Sequence, residues 1–173
     1  MPFSADNSSD WEGSDLREWL NGAFLECFSG DELKLILPYE RDVLLSVETK
    51  GRAERGDRDF YASHVPSLAA RGFDMAYRRR VVDTVALPDI RMAAAPGSAG
   101  GAAPAPGGGA AYSYWLCSPY YNNGQMARCV FPDGFVYFQD AKEALAVRPA
   151  ILIDIAAGLR AGSGSRRDPY ILY

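Results

Sequence analysis

Near its beginning, the chain has the hydrophobic spacing of an amphipathic helix. Over residues 14–28, apolar side chains recur every three to four residues, and Ser14 is in position to cap the first turn. The pattern predicts one helix through this stretch, with Cys27 on its apolar face. The predicted apolar face comprises Leu16, Trp19, Leu20, Ala23, Phe24 and Cys27.

A second, shorter helix is predicted directly after the first. Ser29 and Glu32 have the spacing of a capping box, in which each side chain satisfies the backbone N–H of the other residue. The helix should end before Pro38, because the residue that precedes a proline disfavours helical geometry. Beyond it, residues 42–47 form a short apolar run that predicts a buried strand.

The second half of the chain has a pattern typical of strands. Residues 80–88 are rich in β-branched side chains and stop at Pro88. Further strands are predicted near 112–118, 126–131 and 135–139, the last two joined by a Pro-Asp-Gly turn. A final strand follows, in which Pro149 indicates an edge or a bulge.

Two segments have little capacity to build a core. Residues 93–111 contain only Ala, Gly, Pro and Ser, and so bury too little to offset the entropy of ordering them. We predict a flexible loop there. Residues 156–173 are expected to form a loosely held tail, which leaves a single domain over residues 11–155.

Length and charge narrow the class of protein. With 173 residues, 48% of them hydrophobic, the chain has enough apolar surface for one domain of ordinary size. A formal net charge of -4 argues against sequence-independent binding to nucleic acid, which needs clustered Lys and Arg. The one basic block is the run 78–80, and three charges are typical of a solvated edge.

No targeting or membrane signal is evident. No apolar run reaches the roughly 18 residues of a membrane span, and the acidic first residues are unlike a signal peptide. Three cysteines leave at least one unpaired, unlike a disulfide-dense secreted scaffold. We therefore expect a cytoplasmic protein as encoded, or a cell-surface or secreted one if the chain is cut from a longer precursor.

Several motifs give the chain a resemblance to a known family. In order, they are "WEGSDLREWLNGAF", "FSGDE", "YWLCSP" followed by "ARCVFPDGFV", and "AVRPAILID". These segments, over about residues 11–155, resemble the bacterial domain-of-unknown-function family 6273. Cys117 stands where that family has an arginine, and Ala146 where it has a glycine.

The family is distantly similar to the C-type-lectin-like fold, which is shared by formylglycine-generating enzymes and by the variable proteins of diversity-generating retroelements. The resemblance implies an α+β domain, with N-terminal helices packed on a small, mostly antiparallel sheet, long irregular loops that carry binding, and two chain ends that meet in one sheet. A copper oxidase of this kind would need a second thiolate a few residues after Cys117. Position 122 is Asn, so the soft ligand pair that selects copper is incomplete.

Whether Cys117 and Cys129 can form a disulfide bond depends on the hairpin that joins them. If Asn123-Gly124 forms a two-residue type I′ turn, the two cysteines lie on opposite faces of the sheet and cannot bond. If the loop is longer, odd in length and centred on Asn123, they are directly opposed. Pro119 favours the longer loop because it cannot donate to the ladder. The favoured interpretation is that both cysteines are small buried hydrophobes.

The remaining chemical signal is a concentration of tyrosine and asparagine around this hairpin. Tyr offers large contact area at low entropic cost, and Asn and Ser offer adaptable hydrogen bonds, as in antibody paratopes. The same residues are also ordinary in strands and turns. The candidate ligand-binding residues are Tyr112, Tyr114, Ser118, Tyr120, Tyr121, Asn122, Asn123, Gln125 and Tyr137.

These observations favour a non-enzymatic module that binds a protein or carbohydrate ligand, and it could be the variable protein of a diversity-generating retroelement. No catalytic residue, metal or cofactor is predicted, and His64, the single histidine, has no ligand-like neighbours in the sequence. The alternatives are a thiol- or metal-dependent enzyme related to formylglycine-generating enzymes, and a structural domain of a surface or phage-like assembly.

Overall fold

A computed structural model describes residues 1–44, 78–94, 112–120, 123–132, 134–154, 159–162 and 171–172. Its helices are α1 (Asp15–Leu20), a 3-10 helix (Ala23–Cys27), α2 (Gly30–Leu35) and α3 (Ile90–Ala94). Its strands are β1 (Ile36–Leu37), β2 (Tyr39–Leu44), β3 (Arg78–Asp83), β4 (Val85–Ala86), β5 (Tyr114–Pro119), β6 (Met126–Val130), β7 (Val136–Asp140), β8 (Ala150–Ile153), β9 (Leu159–Ala161) and β10 (Ile171–Leu172). Short helices and antiparallel sheets confirm the α+β class.

Some predictions fall outside the described residues. They include the end of the predicted strand 42–47 and His64. Most of the segment 93–111 and much of the tail 156–173 also lie outside. In the part of the tail that is described, β9 and β10 pair antiparallel.

The first helix is shorter than its hydrophobic pattern predicts. Ser14 caps it as expected, its Oγ accepting a hydrogen bond from the Arg17 N–H at 3.2 Å. The prediction of one helix through residue 28 is wrong, because α1 ends at Leu20. The Asn21 side chain turns to β4 instead, where its Nδ2 donates to the Val85 carbonyl at 2.9 Å. The 3-10 helix that follows leaves Cys27 exposed, so its predicted place on an apolar face is also wrong.

The second helix follows its prediction closely. Ser29 Oγ accepts from the Glu32 N–H, and Glu32 Oε2 accepts from the Ser29 N–H at 2.7 Å. Both halves of the capping box are thus present, and α2 ends before Pro38. Capping of this kind is entirely local, which is why spacing alone predicts it.

The predicted strand 80–88 is divided between two sheets. β3 pairs antiparallel with β2, and β4 pairs with β8 to complete a three-stranded sheet of order β1-β8-β4. The break falls at Thr84, whose N–H donates to Asn21 Oδ1 at 2.7 Å. Pro149 lies directly before β8, the central strand of that sheet, and not within it.

A third sheet, of order β5-β6-β7, separates two apolar clusters. All six residues of β5 are buried, because successive side chains point to opposite faces and both faces are covered. One cluster contains Trp115 and Cys117, together with Phe3, Trp11, Leu16 and Leu20. The other contains Tyr114 and Leu116, together with Leu44, Ile90 and Val130.

Residues before Trp11 are part of this packing. Phe3 is fully buried, with its ring edge-on to Trp115 at 5.7 Å. The backbone N–H groups of Phe3 and Ser4 both donate to the Ala141 carbonyl, at 2.8 and 3.1 Å. The first residues are therefore tied to the chain that follows β7.

Candidate functional site

The β5–β6 hairpin has two registers. Pro119 lies opposite Ala127, as expected for an odd loop centred on Asn123. Nearer the start of β5, however, Trp115 lies opposite Cys129, so extra residues of β5 are accommodated in between. The longer loop is confirmed. The expectation that it places Cys117 directly opposite Cys129 is wrong, because Trp115 occupies that position.

Both cysteines of the hairpin are free and buried. The Cys117 N–H donates to the Pro88 carbonyl at 3.0 Å, and its Sγ accepts from Arg41 Nη1 at 3.3 Å. Burial raises the pKa of Cys117 to about 11, although the Arg41 guanidinium opposes this shift. Burial likewise raises the pKa of Cys129 to about 12. Both therefore remain protonated thiols at neutral pH, which suits small buried hydrophobes better than nucleophiles or metal ligands.

Arg41 belongs to a buried ionic network that joins β2, β3 and α1. Asp83 is fully buried, and its carboxylate accepts from Arg17 Nε at 2.6 Å, from Arg41 Nε at 3.0 Å and from Trp11 Nε1 at 2.9 Å. Arg41 also donates to the Leu87 carbonyl at 3.0 Å. Burial alone would lower the pKa of Arg41, but its neighbours Cys117, Tyr39 and Asp83 raise it overall. The guanidinium therefore stays charged, and it anchors the hairpin through Cys117.

The loop after β5 is fixed mainly by its own backbone. Tyr120 N–H donates to the Met126 carbonyl at 2.7 Å, and Met126 N–H donates to the Asn123 carbonyl at 3.1 Å. Asn123 Oδ1 accepts from the Gln125 N–H at 2.8 Å, so this candidate side chain shapes the turn. From outside the loop, the Ser9 N–H donates to the Gly124 carbonyl at 2.7 Å.

An aromatic pair lies beside this loop, with one ring from the hairpin and the other from β7. The rings of Tyr120 and Phe138 stack with centroids 4.1 Å apart and an interplanar angle of 15°. The Arg128 guanidinium lies 5.0 Å from the centroid of Tyr120, within the range of a cation–π contact. Arg128 is 3% exposed and Phe138 is 41% exposed. We call Tyr120, Phe138 and Arg128, together with the loop 120–125, the loop platform.

Two of the candidate residues lie in the interior. Ser118 is buried, and its Oγ accepts a hydrogen bond from the Ile90 N–H at 3.0 Å. Tyr114 is also buried, and its hydroxyl accepts from Arg148 Nη1 at 3.2 Å. Their side chains support the hairpin from within and are not available as a contact surface.

The other candidates are dispersed. Tyr137 points to the opposite face of the sheet from Phe138, and its ring lies 4.7 Å from that of Phe131. Tyr112 is exposed and precedes β5, at the end of the sheet away from the loop 120–125. Of the predicted set, Tyr120, Asn123 and Gln125 are brought together. Tyr121 and Asn122 lie outside the described residues.

Sequence reasoning missed Phe138 and Arg128. The signal was available in part, because Arg128 lies directly opposite Phe138 in the β6–β7 pairing. Within the described residues, no three His, Cys, Asp or Glu side chains are grouped as metal ligands would be. No helix in that part of the chain combines the length and apolar character needed to cross a membrane.

The fold and the hairpin define a small α+β domain built from antiparallel sheets, with a stacked aromatic pair beside the β5–β6 loop. Comparison with family models identifies it further: residues 3–155 match the domain-of-unknown-function family DUF6273. The chain belongs to that family. Neither the curated proteins nor the solved structures yield a significant match.

Proposed function

We propose that this chain is a non-enzymatic binding module of C-type-lectin-like architecture that contacts a protein or carbohydrate ligand through the loop platform. The observation that carries the proposal is the stack of Tyr120 on Phe138 with the Arg128 guanidinium against the Tyr120 ring. These groups hold a partly exposed aromatic surface in one position before any ligand arrives.

Preorganisation is the physical reason to favour binding. A contact surface that is already ordered loses little conformational entropy on association, so more of the contact energy appears as affinity. The loop contributes to this order, because Asn123 and Gln125 are joined by a side chain to backbone hydrogen bond. Aromatic anchors backed by Arg are also the composition typical of interface hot spots.

The alternative of a thiol-dependent enzyme has no comparable support. Reaction or metal binding requires a thiolate, whereas burial raises the pKa of both Cys117 and Cys129 well above neutrality. Cys117 is instead engaged with Arg41, within the interior.

The test is affinity capture with a loop variant that carries Tyr121→Ser, Asn122→Ser and Phe138→Ser. Ligands would be sought in a whole-cell extract of the source organism and on a glycan array. Each hot-spot side chain contributes about 2 kcal/mol or more, so we expect at least a thirtyfold loss of affinity for any ligand captured by the unaltered chain.

The matched control carries Tyr112→Ser and Phe135→Ser, which remove two exposed aromatic side chains from the other end of the sheet. Tyr112 is 62% exposed and Phe135 is 67% exposed. The control should retain its ligand. Undiminished binding by the loop variant would overturn the proposal, as would an equal loss in both variants.

We further propose, as a narrower form, that the chain is a variable protein of a diversity-generating retroelement. Tyr, Asn and Ser codons are reachable from AAY codons by change at adenine, and Tyr121, Asn122 and Asn123 lie in the loop where exposed variation would be useful. Genome sequencing should reveal a neighbouring reverse transcriptase and a near-identical template repeat of the coding region. A locus without such a repeat would refute this narrower form and leave the binding module untouched.

A further inference from the structure

A cavity of about 380 Å³ lies between α2 and the β1–β8 pair, on a different sheet from the loop platform. This volume is within the range of small-molecule sites. Phe28 is held by an edge-to-face contact with Phe24 at 5.7 Å, and Ile36 lies opposite Ile153 in the sheet. The apolar wall is formed by Phe28, Leu35, Ile36, Ile151 and Ile153.

Three polar residues line the cavity, and two of them, Asp31 and Glu32, are acidic; the third is Ser29. Glu32 Oε2 accepts from the Ser29 N–H at 2.7 Å, which fixes the carboxylate in place. This hydrogen bond holds the pKa of Glu32 below its usual value, so the side chain is ionised at neutral pH. Asp31 is the second carboxylate, and it pairs with Lys34 Nζ at 2.7 Å. A carboxylate accepts hydrogen bonds without donating any, so the lining favours a ligand that donates.

The charge balance sets how strongly a cation is preferred. Lys34 offsets Asp31, whereas the partner of Glu32 is a neutral amide, so Glu32 keeps its negative charge. The N-terminus of α2 opposes this with at most about half a unit of positive charge. Among the described residues that line the cavity, a modest negative excess therefore remains. Charge therefore decides which ligands enter, and the apolar wall supplies most of the affinity.

We propose that this cavity binds a small organic cation, namely a primary ammonium group carried by an apolar body of roughly six to ten carbon atoms. The ammonium group donates to Glu32 at the mouth. The apolar body lies against Ile151 and Ile153. It covers Ile151, which is 37% exposed in the free protein. The site is separate from the loop platform and does not depend on the proposed function.

The experiment is an NMR titration of the full chain at low ionic strength with three probes of equal chain length: hexylammonium, 1-hexanol and hexanoate. Hexylammonium should shift the amide signals of residues 28–36 and 150–153. It should bind about three- to tenfold more tightly than hexanol, and hexanoate should bind most weakly, because an anion is repelled at the mouth.

Glu32→Gln tests the contribution of charge and Ile151→Phe tests that of the apolar wall, with Glu18→Gln as a control. Glu32→Gln keeps an acceptor for the Ser29 N–H but removes the charge, so hexylammonium and hexanol should then bind equally. Glu18→Gln, an exposed first-turn acid on α1, is the matched control and should behave as the unaltered chain. Ile151→Phe should weaken both probes about tenfold by filling the cavity.

The proposal is overturned if hexanol binds the unaltered chain as tightly as hexylammonium, or if the shifted amides lie elsewhere. It is equally overturned if Glu32→Gln leaves the preference for the ammonium probe unchanged. Retention of the folded spectrum in both Glu→Gln variants ensures that each comparison concerns the same structure.

Discussion

Replacement of Asp83 by Asn should be among the most damaging single changes to this protein. The carboxylate is fully buried and serves two arginines and an indole N–H at once. An amide of the same shape has one acceptor oxygen and no charge, and its NH2 group would face N–H donors. Arg41, whose side chain is 9% exposed, would then be a buried cation without its counter-charge.

The expected magnitude follows from that burial. Breaking a buried ion pair by removing one partner costs about 3–5 kcal/mol, because the remaining charge stays desolvated. For a chain of this size, this loss lowers the melting temperature by roughly 6–20 °C. Arg17 is less buried, with 23% of its side chain exposed, so water can compensate part of its loss. The cost is therefore concentrated at Arg41.

Urea unfolding measures the loss in free energy of unfolding. Tryptophan fluorescence reports the transition, because Trp11 and Trp115 both lie in the core. The control is Asp42→Asn on β2, which removes an ion pair with Arg80 at 3.2 Å. The Arg80 side chain is largely exposed, so this change should cost less than about 1 kcal/mol.

A double variant tests whether Arg41 is the cause. When Arg41→Met is combined with Asp83→Asn, the pair is removed together, so the loss should be smaller than the sum of the two single losses by at least about 1 kcal/mol. Additive losses would refute the argument. So would a single Asp83→Asn variant that is no less stable than Asp42→Asn.

Two further predictions concern the thiols and the end of α1. In the native protein at pH 8, a disulfide reagent should label Cys27 rapidly and the two buried thiols slowly, because burial raises the pKa of Cys117 to about 11 and that of Cys129 to about 12. Since the thiolate is the reactive form, labelling of the buried pair should rise as pH approaches those values. Equal rates for all three thiols would contradict this. Asn21→Ala should cost about 1–3 kcal/mol in urea unfolding, because it leaves the N–H groups of Thr84 and Val85 without their acceptor, whereas the exposed Lys34→Ala should change stability by less than about 0.5 kcal/mol.

Features that depend on a few neighbouring residues could be predicted from the sequence. The caps at Ser14 and Ser29 were predicted correctly, because each involves a side chain and a backbone group three residues apart. The turn before β7 was also predicted, and Gly134 adopts the positive φ of 87° that such a turn favours. Proline and glycine restrict or free the backbone locally, so their effect does not require knowledge of the fold.

Features that depend on distant contacts could not be predicted. The helix was expected to continue past Asn21 because the apolar spacing does, but Asn21 instead pairs with β4. The change of register within β5 likewise reflects a contact with a remote segment, since the Cys117 N–H donates to Pro88. The loop platform depends on the β6–β7 pairing that places Arg128 opposite Phe138. The loop was therefore located correctly, while half of its aromatic surface was missed.

The packing of the first residues also affects how the protein folds as it is made. Phe3 has its backbone partner at Ala141, so this contact cannot form until nearly the whole domain has been synthesised. At about 5–20 residues per second, Phe3 waits on the order of seven to thirty seconds before Ala141 has been synthesised. During that interval the emerging chain presents large apolar side chains that chaperones can recognise. Burial of Phe3 therefore depends on the second half of the domain, although α1 and α2 are made first.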